Sequence, residues 1–245
     1  KMKAVILAAG MASRLRPLTL NTPKCLLKVG ARPLLQRSMD ALIQSGITEF
    51  VIVTGYLHGM IEDFVKAQYG DGISVKFIHN DVFDSTNNIY SLWLARPEAD
   101  NEDFLLLDSD LLYDPEIPRM ALACGADNVL TLIKHDLGEE EMKVVTDANG
   151  VIKEISKTCN PADATGESLG IEKIGKAYSA ALYKELEVMM QKEHLENKFY
   201  ELAFERLIPQ GHTYKVLDVT RYFSCELDTV EDFENAKEKI PAELY

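Results

Sequence analysis

The chain has 245 residues, of which 47% are hydrophobic and 27% charged, and a formal net charge of −13. Length and apolar share are ordinary for a soluble globular protein built as one large domain or a domain plus a lobe. Acidity without a lysine–arginine cluster excludes broad nucleic-acid binding, and no apolar run is long enough to span a membrane.

Lys3–Ala8 is a short apolar run containing the β-branched Val5 and Ile6, and it reads as a buried parallel strand ending before Gly10. The loop Ala8-Ala9-Gly10-Met11-Ala12-Ser13 is made of small residues, which let backbone N–H groups approach an anion closely. Arg14, Arg16 and, a loop further on, Lys24 add cations, and together these features make a polyphosphate site. An acidic protein that binds a nucleotide must gather its cations locally, and this stretch does so. Neither G-x-x-x-x-G-K-[ST] nor G-x-G-x-x-G is present, which excludes a P-loop and a dinucleotide fingerprint.

Pro33–Ser45 and Leu57–Tyr69 carry apolar residues at helical spacing, and Phe50–Val53 and Val75–Ile78 read as strands. This alternation predicts right-handed crossovers, a parallel sheet, and ligand binding at the strands' carboxyl ends. Ser85, Thr86 or Asn87 is positioned to cap a helix running to about Arg96. Phe104–Leu107 is a further buried strand, closed by the acidic Asp108-Ser109-Asp110. Acidic residues at such a strand end suit Mg²⁺, which prefers carboxylate and phosphate oxygens.

Beyond it, Asn128–Lys134, Met142–Thr146 and Val151–Ser156 read as strands, with a hairpin turn at Asp147–Gly150. Cys159–Ser168 reads as a loop and Leu169–Ile174 as a strand. Tyr178–Glu193, Tyr200–Ile208 and Val230–Lys239 read as helices, and Asp228 is placed to cap the last of them. Four cysteines, Cys25, Cys124, Cys159 and Cys225, lack C-x-x-C spacing, and no signal peptide precedes them. Free thiols in a cytoplasmic protein are the expected state.

The opening stretch resembles the nucleotidyltransferases that activate sugar phosphates and small alcohol phosphates with a nucleoside triphosphate. Their pattern, roughly L-x-x-G-x-G-[ST]-R-[LM]-x-P-L-T followed by P-K, is met in order by Leu7, Gly10, Ser13, Arg14, Leu15, Pro17, Leu18, Thr19, Pro23 and Lys24. Ala12 stands where the family has its second glycine; it keeps the N–H but disfavours positive φ, so the loop is expected to differ there. The resemblance implies an α/β fold: a Rossmann-like, mostly parallel sheet flanked by helices, with an antiparallel substrate-binding portion, as in nucleotide-diphospho-sugar transferases. It also implies one domain over 2–245, with a nucleotide-binding half at 2–115 and an acceptor-binding half at 116–245.

Site residues follow from the same resemblance. Leu7, Ala8, Ala9, Gly10, Met11, Ala12 and Ser13 would surround the nucleotide; Arg14 would hold the β- and γ-phosphates, and Lys24 the α-phosphate, as the catalytic groups. The stretch Asn87-Asn88-Ile89-Tyr90-Ser91-Leu92 resembles the N-N-x-x-S-L of the branch that includes phosphocholine and 2-aminoethylphosphonate cytidylyltransferases. Thr86, Asn87, Asn88 and Ser91 are then expected at the nucleotide, because an amide matches both donors and acceptors on cytosine; helix capping is the other reading. In the family, the aspartates corresponding to Asp110 and Asp228 hold the metal, here Mg²⁺, with Asp108 set close behind; those two remote carboxylates must therefore converge.

The nucleophile is an acceptor phosphate or phosphonate oxygen that is already anionic, so no general base or catalytic triad is required. The acceptor pocket is expected to draw on Lys143 for the anion, Glu172 or Glu201 for a primary amine, and Gly170 and Phe204. A phosphocholine site would need an aromatic box, yet the single tryptophan, Trp93, lies elsewhere. The leading expectation is a CTP-dependent cytidylyltransferase acting on 2-aminoethylphosphonate. The alternatives are phosphocholine as acceptor, a sugar-1-phosphate nucleotidyltransferase, and a nucleotide-binding regulatory module without turnover. Expected partners are CTP and the small acceptor, with homodimerisation or fusion to another pathway enzyme open.

Overall fold

The apolar run at the start of the chain becomes the centre of the molecule. The computed structural model describes residues 1–245, and its main feature is a nine-stranded sheet. The strands are β1 (Lys3–Ala8), β2 (Glu49–Thr54), β3 (Ser74–His79), β4 (Phe104–Asp108), β5 (Val129–Ile133), β6 (Lys143–Thr146), β7 (Ile152–Ser156), β8 (Gly166–Ile174) and β9 (Lys215–Asp218). Residues alternate across β1: Val5 and Leu7 join the hydrophobic cluster on one face, Ala4 and Ile6 the cluster on the other. A strand buried on both faces needs apolar residues at every position, which is why it reads as a continuous run rather than an alternation. Each fully buried aliphatic side chain contributes about 1.5–3 kcal/mol.

β3, β2, β1 and β4 are parallel, with Val5 opposite Val51 on one side and Leu106 on the other. Helices α1 (Leu34–Gln44), α2 (His58–Tyr69) and α3 (Asn88–Leu94) lie in the crossovers. The first two connections build the sheet outward from β1 through β2 to β3; the third returns the chain to the other side of β1. The order therefore reverses between β1 and β4, whose carboxyl ends lie side by side with Leu7 opposite Asp108. Such a reversal opens a crevice.

The second half extends the sheet in the opposite sense. β8 runs antiparallel to β4, β5 and β6; β7 pairs antiparallel with β6, and β9 lies parallel to β5. Strand β8 begins three residues earlier than the sequence predicts, because Glu167 and Ser168, polar enough to suggest a loop, pair with Ile133 and Leu132. A Cβ on Gly166 would stand 2.6 Å from the Ile133 carbonyl, so glycine allows that close pairing. Helix α4 (Glu116–Ala123) was not predicted; it is short, and Pro118 in its first turn obscures the helical signal. Helices α5 (Lys176–Gln191), α6 (Glu201–Leu207) and α7 (Val230–Lys239) complete the chain.

Asp228 does not cap α7. Thr229 does, accepting the Asp232 N–H while the Asp232 carboxylate accepts the Thr229 N–H at 3.0 Å. This capping box consumes two orphan helix donors and leaves the Asp228 carboxylate free of that duty.

Candidate functional site

The loop after β1 is fastened from outside. Thr19 Oγ1 donates to the Ala12 carbonyl at 2.9 Å, the Tyr56 N–H to Ala9 O at 3.0 Å, and the Tyr56 hydroxyl to Leu20 O at 3.0 Å. Leu15, 1% exposed, pins the following turn into the core. A Cβ on Gly10 would meet no protein atom within 4 Å, so the space beside it belongs to whatever enters the crevice. Ala12 is left-handed, at φ 47° and ψ 51°, so the loop keeps the conformation a glycine would adopt despite the sequence expectation of a difference. Left-handed backbone costs an alanine roughly 1–2 kcal/mol. Ala12→Gly is expected to raise stability by about 1 kcal/mol, the reverse of the penalty for alanine at positive φ; a thermal or urea unfolding midpoint below that of the parent would contradict this.

A cleft of about 330 Å³ opens over the loop. Leu7, Ala8, Ala9, Gly10, Ala12, Arg14, Lys24, Thr86, Asn87, Asn88, Ser91, Asp108, Asp110 and Asp228 all line it. Met11 and Ser13 do not: the left-handed turn carries Met11 to a half-buried position and Ser13 out to solvent. Lys24 Nζ donates to Asp110 Oδ2 at 2.9 Å, and Arg14 Nη2 lies 4.0 Å from Asp228 Oδ1. The two remote carboxylates thus converge on one cleft, each facing one of the two predicted cations. Behind Asp110, the Cys25 thiol is pushed up to about 12 by burial and then by the Asp110 charge, which makes it an inert packing group.

Across the cleft, Asn80 organises the polar stretch before α3. It is 1% exposed; its amide nitrogen donates to Thr86 Oγ1 and Ser91 Oγ, both at 3.2 Å, and its oxygen accepts the Val82 N–H at 3.0 Å. Sequence reasoning missed Asn80, whose signal was a polar residue directly after a strand facing the binding edge. Asn87 is the helix cap, its oxygen accepting the Asn88 N–H at 2.7 Å, so capping and cleft lining coexist in one residue. Asn88 Oδ1 accepts the Tyr200 N–H at 2.8 Å and ties the start of α3 to the start of α6.

A second cleft, about 720 Å³, continues from the first and shares Arg14, Lys24, Asn88, Asp108, Asp110 and Asp228 with it. Both volumes fall in the range of small-molecule sites. Of the residues expected at the acceptor, Gly170 and Glu201 line this cleft; Lys143, Glu172 and Phe204 do not. Lys143 is 1% exposed and its ammonium is spent on the carbonyls of Glu141 and Lys157, at 3.1 and 2.5 Å. Glu172 is fully buried, and burial followed by the charges of Glu201 and Asp108 holds its carboxyl well above the usual range. Phe204 packs among Tyr178, Tyr200 and Tyr214, ring centroids 5.0–6.1 Å away, as part of the core. Alternation along β8 turns Glu172 inward, a fact the residue type alone concealed. Gly170, at φ +100°, sits where β8 shifts register, and a Cβ there would come within 3.0 Å of Asp108 Oδ2.

Burial, then Asp110 and Glu201, push the Asp108 carboxyl well above its ordinary value, against the pull of Lys24. Glu201 is 8% exposed, and burial pushes it up to about 7. A raised acid binds its proton more tightly folded than unfolded. Its favourable contribution is therefore complete below about 4.5 and falls away as pH rises through about 7. Glu201→Gln is expected to remove that decline, at most about 3 kcal/mol, seen as a flatter dependence of the urea midpoint on pH between 5 and 8; an unchanged slope would contradict it. Cleft-lining His135, Glu167 and Glu226 were not predicted, since they come from three separate loop and strand ends.

A reversed parallel sheet, with cations and carboxylates facing each other where a smaller cleft opens into a larger one, defines a protein that brings a nucleotide to a second ligand. The model of the nucleotidyl transferase family matches residues 3–141, and the chain belongs to that family. Choline-phosphate cytidylyltransferase of Streptococcus pneumoniae is 41% identical over 109 residues, 44% of each chain. CMP-5'-(3-aminopropyl)phosphonate synthase of Streptomyces rubellomurinus is 28% identical over 94% of this chain, and the match spans 37% of that protein. The solved structure of CTP:phosphocholine cytidylyltransferase from Streptococcus pneumoniae shares the fold, with a TM-score of 0.80 at 23% identity over 98% of this chain and all of that one.

Proposed function

We propose that the chain transfers CMP from CTP to a small amine-bearing phosphonate, 2-aminoethylphosphonate, giving CMP-aminoethylphosphonate and pyrophosphate. The observation that carries this reading is the meeting of the two clefts at Lys24, Asp110, Arg14 and Asp228. CTP lies in the smaller cleft, its phosphates over the Gly10 loop and its base toward Asn87 and Asn88. The acceptor lies in the larger cleft with its phosphonate toward the shared residues. A phosphonate oxygen attacks the α-phosphorus, the new P–O bond forms as the bond to the β-phosphate oxygen breaks, and that oxygen keeps the electron pair as pyrophosphate leaves. Lys24 neutralises charge growing on the α-phosphate, and Arg14 holds the departing phosphates.

Carboxylate donors facing a phosphate site suit a hard divalent cation, and Asp110 and Asp228 would hold Mg²⁺. Bound there, it would supply charge neutralisation at the phosphates. One catalytic domain over 2–245 fits this arrangement, because Asp228 from the second half lines the nucleotide cleft, and Arg14, Lys24 and Asn88 from the first half line the acceptor cleft. No helix is long and apolar enough to cross a membrane, in keeping with a cytoplasmic enzyme.

Glu140, Glu167, Glu201 and Glu226 line the larger cleft with no lysine or arginine paired to any of them. Such a surface favours an acceptor carrying a positively charged group over a sugar phosphate, which has only the negative charge of its phosphate. Phosphocholine is the less favoured acceptor: Tyr178, Tyr200, Phe204 and Tyr214 pack together in the core, and of the aromatics that do line the larger cleft, Phe199, Tyr222 and Phe223, the first two already carry Lys157 and Arg221 over their rings, 4.4 and 5.0 Å from the centroids. The test is pyrophosphate release with CTP, UTP or dTTP against 2-aminoethylphosphonate, phosphocholine and glucose 1-phosphate. CTP with 2-aminoethylphosphonate is expected to be fastest; a preference for UTP or dTTP with the sugar phosphate would overturn the reading.

A further inference from the structure

One group in the larger cleft remains without a role. His135 follows β5, Glu167 lies on β8, and Glu226 stands two residues before Asp228. His135 Nδ1 is 2.8 Å from the Asp136 carbonyl, so that nitrogen carries a proton and donates it, and Nε2, 2.5 Å from Glu167 Oε1, shares a proton with that carboxyl group. The ligating atoms of His135, Glu167 and Glu226 lie within 4.8 Å of one another. Lys134, the nearest cation in sequence, is engaged elsewhere, 3.4 Å from Asp218.

We propose that Glu167 and Glu226, with His135 holding the Glu167 carboxylate in place, form the subsite that captures the primary ammonium of the acceptor, and so select acceptors with N–H donors. This rests on the cytidylyltransferase reading above. An ammonium donates three hydrogen bonds in tetrahedral directions; at donor–acceptor distances of about 2.9 Å its acceptors stand roughly 4.7 Å apart. A transition-metal ion would draw the same atoms to about 3.4 Å from one another, with bonds near 2.1 Å. His135 Nε2 and Glu167 Oε1, 2.5 Å apart, are bonded to each other and count as one arm; the distance from that arm to Glu226, within 4.8 Å, allows the wider arrangement between the two carboxylates. A second, independent feature also points to a donor-rich ligand. Glu201, 8% exposed, lines the same cleft with Oε1 unpartnered, and the buried Ser168 Oγ beside Glu167 is unpartnered too. Buried acceptors without donors are costly unless a ligand supplies them.

Position agrees with chemistry. Glu226 and Asp228 are two residues apart, at most about 7 Å between their Cα atoms. A short alkyl spacer therefore suffices to hold an ammonium at Glu226 while the phosphonate reaches the residues shared by both clefts. A trimethylated nitrogen has the same charge but no N–H, and it would offer no donor to the Glu167 and Glu226 carboxylates.

The test compares 2-aminoethylphosphonate, its N,N,N-trimethyl analogue and ethylphosphonate as acceptors, with CTP and Mg²⁺, in the parent protein and in Glu167→Gln and Glu226→Gln. Binding of each acceptor is measured separately by calorimetry. In the parent, the primary amine is expected to be favoured. Each variant should raise KM for it about 10- to 150-fold, the value of a charge-assisted hydrogen bond, while KM for CTP stays within about twofold. Ethylphosphonate should be unaffected by either substitution. Turnover in which the variants keep the parent's preference for the amine overturns the subsite. Amine-dependent binding that Glu167→Gln weakens, without CMP transfer by the parent, keeps the subsite and overturns the enzymatic reading. Neither binding nor transfer overturns both.

Discussion

Lys24→Ala is expected to lower kcat about 10²- to 10³-fold, the usual cost of removing one preorganised donor from developing phosphoryl charge. The ammonium sits 2.9 Å from Asp110 and its side chain is 14% exposed, so it is held in place before any ligand arrives. That preorganisation is what gives the donor its value, because little reorganisation is needed as the reaction proceeds. The effect on folding is small by comparison. Asp110 keeps 36% of its side-chain exposure, so water can replace the lost partner, and the pair behaves more like a surface salt bridge than a buried one. Pyrophosphate release at saturating CTP, together with a thermal midpoint, separates the two contributions. Unchanged turnover in a folded Lys24→Ala protein would remove Lys24 from the chemistry.

Asp110→Asn and Asp228→Asn are each expected to lower kcat by at least about 10²-fold and to weaken the apparent affinity for Mg²⁺, since each would remove one anionic oxygen from the site proposed for the hard cation. The double variant is expected to be little worse than either single one, because residues that act as a unit are not additive. The two positions differ in a measurable respect. Asp110→Asn also releases Lys24 from its carboxylate, whereas Asp228 has only the looser approach of Arg14 at 4.0 Å. Mg²⁺ titrations of pyrophosphate release on all three variants check the assignment. Additive losses with an unaltered Mg²⁺ requirement would show that the carboxylates act separately and not through one ion.

The parts of the site that could be read from sequence share one property: they are local. Loop, arginine and lysine lie within the first 24 residues, and their type and spacing already describe a phosphate cradle. Asp110 was visible because it closes an apolar strand, and strand ends in parallel sheets face ligands. The larger cleft, proposed for the acceptor, was far less visible. Lys143, Glu172 and Phe204 have suitable chemistry, but strand alternation and helix packing turn them into the interior. His135, Glu167 and Glu226 look like surface residues in isolation and face one cleft only because β5, β8 and the segment after β9 end near one another. Asn80 shows the same limit on a smaller scale, since its role depends on Thr86 and Ser91 folding back over it.

By itself the sequence determined that β1 would be buried on both faces, that the first half would form a parallel sheet, and that cations would gather after its first strand. Apolar periodicity and small-residue loops act over a few residues, so a linear reading captures them. Only the tertiary structure decided that Asp228 would join Asp110, that Thr229 rather than Asp228 would cap the last helix, and which carboxylates would line the larger cleft. Those outcomes depend on which way each side chain points once distant strands are paired, and pairing across 40 to 120 residues leaves no periodic trace in the chain.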